Sequence, residues 1–151
     1  MLNEVEIYTD GACSGNPGAG GYCAILMCDG REKVISGAFE ETTNNRMEVL
    51  AAIEGLKALK RACKVTLYSD SAYLVNAISE NWLVNWKRRN WRTADNKDVK
   101  NRDLWEQLDA LLATHEVTFV KVKGHSDNAY NNRCDEVARA AISELKKRTE
   151  D

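Results

Sequence analysis

Residues 11–21 constrain the fold of this chain more than any other stretch. They hold five of its nine glycines and its only proline. That composition reads as a tight connection, because glycine frees the backbone and proline cannot donate to a ladder. Val5 and Ile7 alternate with polar neighbours ahead of Thr9-Asp10-Gly11. Period-two alternation there predicts a short first strand that stops at a turn, with Asp10 at its end. A second strand is expected over residues 22–27, and Asp29-Gly30 reads as a hairpin turn into a third over 33–39. The chain therefore opens as an antiparallel three-stranded unit.

Beyond it the period changes. Val49, Ala52, Ile53, Leu56 and Leu59 recur at helical spacing after Thr42-Thr43-Asn44-Asn45, predicting a helix to about Ala62 with Glu48 in its first turn. Val65 and Leu67 predict a fourth strand ending at Ser69-Asp70, with a short helix after it. Residues 81–102 mix Trp82, Trp86 and Trp91 with cations and read as a short helix plus a projecting loop. Leu104, Leu108, Leu111 and Leu112 mark a further helix, and Val117, Phe119 and Val120 a fifth strand. Cys134, Val137, Ala138, Ala141, Ile142 and Leu145 stripe a C-terminal helix, with Asp135 in its first turn. Hairpins followed by strand and helix alternation imply an α/β class, a mixed sheet with helices packed on it. Ligands on such sheets gather at carboxyl ends of strands where the strand order reverses. Asp10 and Asp70 are both expected there.

With 151 residues, 44% of them hydrophobic, the chain has the apolar material for one core. A single domain over residues 1–151 is expected, fraying from Lys146 onward. No apolar run approaches the roughly 18 residues of a membrane span, and Met1-Leu2-Asn3-Glu4 begins no basic-then-apolar leader, so no membrane and a cytoplasmic location are expected. The five cysteines are odd in number and form no C-x-x-C pair, which argues for reduced thiols rather than a disulfide framework or a zinc cage. Nothing demands a partner chain, so a monomer is expected. The formal net charge of -2 conceals an asymmetry: residues 82–102 carry seven basic side chains against two acidic ones, a local +5. Such a segment on an acidic body suggests one region for a polyanion.

Four carboxylates stand out as candidates for a hard-metal site: Asp10, Glu48, Asp70 and Asp135. Magnesium takes oxygen ligands and is held by a few carboxylates plus substrate phosphate oxygens; two such ions can activate a water and stabilise a leaving oxygen. Each acid also has an ordinary explanation. Glu48 follows Asn45 at capping-box spacing, and Asp135 would suit a helix dipole. Asp10 can form a turn, and Asp70 can cap a helix. Convergence separates the two: at 4 Å, like charges repel by about 4 kcal/mol at an effective dielectric of 20, so a fold does not gather four acids without a cation.

Tyr8-Thr9-Asp10-Gly11-Ala12-Cys13-Ser14-Gly15-Asn16-Pro17-Gly18, Thr42-Thr43-Asn44-Asn45-Arg46-Met47-Glu48, Ser69-Asp70-Ser71, Val122-Lys123-Gly124-His125 and Arg133-Cys134-Asp135 together resemble bacterial type 1 ribonuclease H. The likeness covers residues 2–143 in family order and spacing. It implies a five-stranded mixed sheet in order 3-2-1-4-5 flanked by helices. It also implies hydrolysis of the RNA strand of RNA/DNA hybrids to 5′-phosphate and 3′-hydroxyl ends, a chemistry of use in removing primers and hybrids. On that resemblance the four carboxylates hold two magnesium ions, with manganese a candidate substitute. His125 assists proton transfer and product departure. Gly11, Cys13, Asn16, Asn44 and Asn45 lie near the scissile strand, where an RNA-specific enzyme senses the 2′-hydroxyl. Thr43 and Asn101 grip a DNA phosphate, and Trp82, Trp86, Lys87, Arg88 and Arg89 carry the DNA strand, combining aromatic packing with phosphate neutralisation. Trp91 and Trp105 are expected to pack internally.

Two positions depart from the pattern. Glu41 stands where relatives often carry arginine in the phosphate pocket, and Ala72 where a glutamine commonly reaches the minor groove. Weaker phosphate anchoring is the expectation. Two alternatives from other classes are a non-catalytic hybrid-binding module and another nuclease of the same broad fold, such as a junction resolvase or transposase domain. Retention of all four acids opposes the first; the basic segment and the Asn44-Asn45 pair oppose the second.

Overall fold

The computed structural model describes residues 2–123 and 128–150, with side chains through residue 148. Its elements are β1 (Asn3–Ser14), β2 (Gly18–Cys28), β3 (Arg31–Thr42), α1 (Asn44–Lys57), β4 (Cys63–Ser69), α2 (Ala72–Ser79), α3 (Trp82–Arg88), α4 (Arg102–Thr114), β5 (Glu116–Lys121) and α5 (Ala129–Glu150). They form one five-stranded sheet in order β3-β2-β1-β4-β5. β1 to β3 pair antiparallel, and β1-β4-β5 run parallel. The expected mixed sheet and strand order are both present.

Strands buried on both faces explain the three-layer packing. Val5, Ile7, Ala24, Leu26, Val65 and Leu67 face α1 and α4 in the larger core, with Val49, Ile53, Leu56, Trp105 and Leu108 opposite. Their neighbours in sequence, Tyr8, Cys23 and Ile25, face the other way and meet Cys134 and Ala138 of α5. All five cysteines are free thiols. Among the described residues no helix is long and apolar enough to cross a membrane.

The glycine-rich stretch departs from expectation. Only residues 15–17 turn; Gly11 pairs with Tyr22, and Gly21 with Ala12, inside the β1-β2 ladder. These glycines serve close approach instead. A Cβ on Gly11 would lie 2.6 Å from the Glu48 nitrogen and the Met47 carbonyl carbon, and one on Gly21 would strike the Ala138 carbonyl oxygen. Helices α1 and α5 thus lie against bare backbone on opposite faces of the sheet. Asp10 consequently sits within β1, two residues past Tyr8, where the pairing with β4 ends.

Two helix boundaries also differ. α1 stops at Lys57; Leu59 continues the apolar spacing because it packs on the core from the turn that follows. α5 begins at Ala129 because the Asn128 side chain accepts from the Asn131 backbone N–H at 3.1 Å. Asp135 therefore lies in its second turn. At its other end α5 runs to Glu150.

Candidate active site

The local explanations for the carboxylates are taken by other residues. Thr43 caps α1, its hydroxyl accepting from the Arg46 N–H at 3.2 Å, so Glu48, in the second turn, has no capping duty. Ser71 caps α2, accepting from the Leu74 N–H at 3.1 Å, which releases Asp70. Asp10 lies in a paired strand, so it forms no turn.

Asp10, Glu48 and Asp70 converge so that one carboxylate oxygen from each lies within 4.8 Å of the others. β1, α1 and the end of β4 bring them there. Gly11 joins them: its N–H donates to Asp10 Oδ1 at 2.9 Å and also to Glu48 Oε1. The group lines a cleft of about 440 Å³ with Gly11, Asn44, Asn45, Ser71, Ala72, Tyr73, Asn131, Asn132 and Asp135. Asp135 shares the cleft and its charge acts on Asp10, but Asp135 Oδ2 is paired with Arg139 Nη2 at 2.7 Å, one turn along α5.

Electrostatics mark this as a strained gathering. Burial first, then the charge of Asp70, push the Asp10 carboxyl up to about 7, against relief from Glu48 and the Gly11 N–H. Burial, followed by the charges of Asp10 and Asp70, holds the Glu48 carboxyl well above the usual carboxylate range. Buried acids without a cation resist ionisation in this way. The donor set is all oxygen, partly buried and anionic, which fits a hard divalent cation and not a soft one.

The remaining expected residues distribute around the cleft. Asn44 and Asn45 reach it directly, and the Asn16 side chain accepts from the Asn44 N–H at 3.1 Å, tying the β1-β2 turn to the start of α1. Cys13 lies outside it; its thiol faces the Gly18 and Thr42 carbonyls at 3.6 Å each. Thr43 is engaged as a cap. The Asn101 amide is held at both ends, Oδ1 accepting from Arg46 Nη1 at 3.2 Å and Nδ2 donating to Tyr73 Oη at 3.1 Å. His125 lies outside the described residues.

Trp82 and Trp86 are half-buried, in a chain of tilted and edge-on rings through Trp105 and Tyr73. With Arg89 they line a shallow depression of about 180 Å³. Trp105 is fully buried, as expected, and Trp91 packs partly buried on the core. Lys87 pairs with Asp109 at 3.2 Å, whereas Arg88 is exposed. Tyr73 belongs both to the carboxylate cleft and to this aromatic chain, so the two regions are continuous. Glu41 is exposed beside Phe39 and Arg46; burial pushes the Cys13 thiol up and Glu41 adds to it. Ala72 lines the cleft without a polar group. Sequence reasoning passed over Tyr73 and Asn131. The ring spacing of Tyr73 to Trp82 is not readable along the chain, and Asn131 precedes Cys134, the first residue of the apolar stripe, so no periodicity marks it.

Comparison with known proteins gives a consistent result. A family model described as RNase H matches residues 2–143. Ribonuclease H of Caldicellulosiruptor saccharolyticus is 59% identical over 145 residues, covering 96% of this chain and 100% of the relative. Ribonuclease H of Chlorobium luteolum is 61% identical over 142 residues, covering 94% and 97%. The crystal structure of LC9-RNase H1, a type 1 RNase H with the type 2 active-site motif, aligns with a TM-score of 0.85 at 25% identity, over 95% of this chain and 74% of that one. LC11-RNase H1 in complex with RNA/DNA hybrid shares the fold, with a TM-score of 0.73 at 23% identity over 93% and 98%.

Proposed function

The chain belongs to the ribonuclease H family, and from that premise we propose that it is an endoribonuclease hydrolysing the RNA strand of RNA/DNA hybrids with two magnesium ions, leaving 5′-phosphate and 3′-hydroxyl ends. The observation that carries the reading is the convergence of Asp10, Glu48 and Asp70 within 4.8 Å in an open cleft. Asp10, Glu48, Asp70 and Asp135 would hold the ions. When bound, the ions would supply an activated water and a counter-charge for the leaving oxygen in an in-line displacement.

The chain's own groups prepare the site. The Gly11 N–H orients Asp10 and Glu48 toward one another, so their oxygens are preset before any cation arrives. Burial keeps Asp10 and Glu48 out of bulk water, which strengthens their pull on a divalent ion. Asn44 and Asn45 offer amide donors and acceptors along the same cleft, suited to reading a 2′-hydroxyl that both donates and accepts. From Tyr73 the chain of rings leads to Trp86, Arg88 and Arg89, a surface for the DNA strand. His125, in the stretch preceding α5, is assigned to proton transfer and product departure.

The test is incubation of labelled RNA/DNA hybrid, RNA duplex and DNA duplex with the protein, in magnesium or in chelator. Cutting of the hybrid alone, only with magnesium, and lost in Asp10→Asn is expected. Equal cutting of the three substrates, or undiminished cutting in chelator, would overturn it.

A further inference from the structure

Asn131 is the anomaly of the cleft. Its residue is 6% exposed, and its Oδ1 is the only buried side-chain nitrogen or oxygen among the described residues that lacks a hydrogen-bond partner. Buried acceptors left unmade are rare, because the group loses its water and receives nothing in return. The backbone offers no reason for an asparagine here, since the cap of α5 is Asn128 and the Asn131 N–H is already spent on it.

The location supplies one. Asn131 precedes Asp135 by one helical turn, so the two side chains rise from the same face of α5, and both line the cleft with Asp10, Glu48 and Asp70. Asp10, Glu48 and Asp70 are acceptors when ionised and cannot satisfy a carbonyl oxygen. Among the described residues nothing donates to it, and the cleft suits a cation that keeps several of its waters.

We propose that Asn131 is a positioning residue for the cation, its amide oxygen accepting a hydrogen bond from a water of the cation's hydration shell. Asn131 touches no reacting atom in this role. It selects the orientation of a hydrated ion between Asp10 and Asp135, as outer-shell acceptors do at metal sites generally. The inference rests on the assignment of the cleft to a divalent cation.

Two variants test it, Asn131→Leu, which keeps the volume and removes the acceptor, and Asn131→Asp, which presents acceptors only. Magnesium affinity is measured by calorimetry without nucleic acid, and unfolding temperature is measured in chelator. Asn131→Leu should bind magnesium about tenfold more weakly and yet unfold in chelator at or above the temperature of the unsubstituted chain, since it removes an unsatisfied buried group. Asn131→Asp should bind at least as tightly as the unsubstituted chain. Unchanged magnesium affinity in Asn131→Leu, or a lower unfolding temperature with affinity retained, overturns the inference and assigns Asn131 to structure. Should Asn131→Leu fail to fold, weaker binding by Asn131→Asp overturns it alone. If the unsubstituted chain binds no magnesium, the cation reading of the cleft fails, an outcome distinct from the others.

Discussion

Removing the charge of Asp10 should make the cation-free protein more stable. Its carboxyl is held at about 7 against an ordinary value of 3.8, by burial and by Asp70. A group whose folded value is raised favours the folded state below its unfolded value, and that stability is lost as pH rises through the folded value. The window therefore runs from about pH 4 to about pH 7. Each pH unit within it is worth about 1.4 kcal/mol, so the raised value destabilises the folded chain by about 4 kcal/mol at pH 8 and by about 1.7 at pH 5. Pairwise repulsion agrees in scale: unit charges 4.8 Å apart interact by about 3.5 kcal/mol at an effective dielectric of 20.

Asn at position 10 keeps an oxygen for the Gly11 N–H and discards the charge. In chelator at pH 8, Asp10→Asn should gain about 3 kcal/mol, or roughly 6–12 °C in unfolding temperature for a chain of this length. At pH 5 the gain should shrink by about 2.5 kcal/mol, because the native carboxyl is already mostly protonated there. Paired urea and thermal unfolding at the two pH values measures both quantities. His115, whose ring is lowered by burial while its Nδ1 accepts from the Cys63 N–H, loses stability toward acid, but equally in both proteins, and cancels in the difference. A flat stability of the unsubstituted chain from pH 5 to 8, or an Asp10→Asn chain less stable at pH 8, would refute the reasoning.

Further expectations follow from the same geometry. Gly11→Ala should cost about 1–3 kcal/mol in urea unfolding, because the new Cβ must displace the Met47-Glu48 backbone that it meets at 2.6 Å, and cleavage should fall with it. Glu41→Arg should tighten hybrid binding and steepen its dependence on log salt by about 0.7–0.9; unchanged affinity and slope would dismiss Glu41 as a weakness of the grip. Arg88→Ala should reduce that slope by a similar amount, whereas Lys87→Ala should reduce it less, since Lys87 is already engaged with Asp109. His125→Ala should slow single-turnover cleavage without abolishing it, and complete loss would place the residue among the essential groups.

The strand order is implied by the resemblance to ribonuclease H, whereas the alternation of Val5, Ile7 and Tyr8 between two cores follows from period-two patterning, which survives tertiary packing because each face of the sheet is buried by a different helix. What misled was glycine. In residues 11–21 a turn composition and a close-packing composition are the same letters, and only the approach of Met47 and Ala138 distinguishes them. The boundary of α5 was hidden for a related reason: the capping residue Asn128 precedes a first turn, Ala129 to Asn132, that carries no apolar stripe and therefore no periodic signal. The basic stretch was readable as charge. That Trp82 and Trp86 are half core and half surface was not, because their partners Tyr73 and Trp105 come from α2 and α4.

The carboxylates illustrate how local and global demands divide a sequence. Asp70 lies just ahead of α2, where an acid would serve well as a cap, and Glu48 one turn into α1, yet Thr43 and Ser71 do the capping. A hydroxyl satisfies a helix N–H at no electrostatic cost, whereas an acid bonded to that N–H would turn its oxygens from the cleft. Placing Thr and Ser at the caps leaves the carboxylates free to face the cleft, and largely buried like charges within 4.8 Å of one another are unstable unless a cation joins them. Asp135 is the exception, since Arg139 already pairs with it. A cation using Asp135 must therefore draw that carboxylate from an exposed ion pair worth about 0–1 kcal/mol. Occupancy on the Asp135 side should accordingly be the weaker of two, and Arg139→Gln should tighten it while leaving the stability of α5 nearly unchanged.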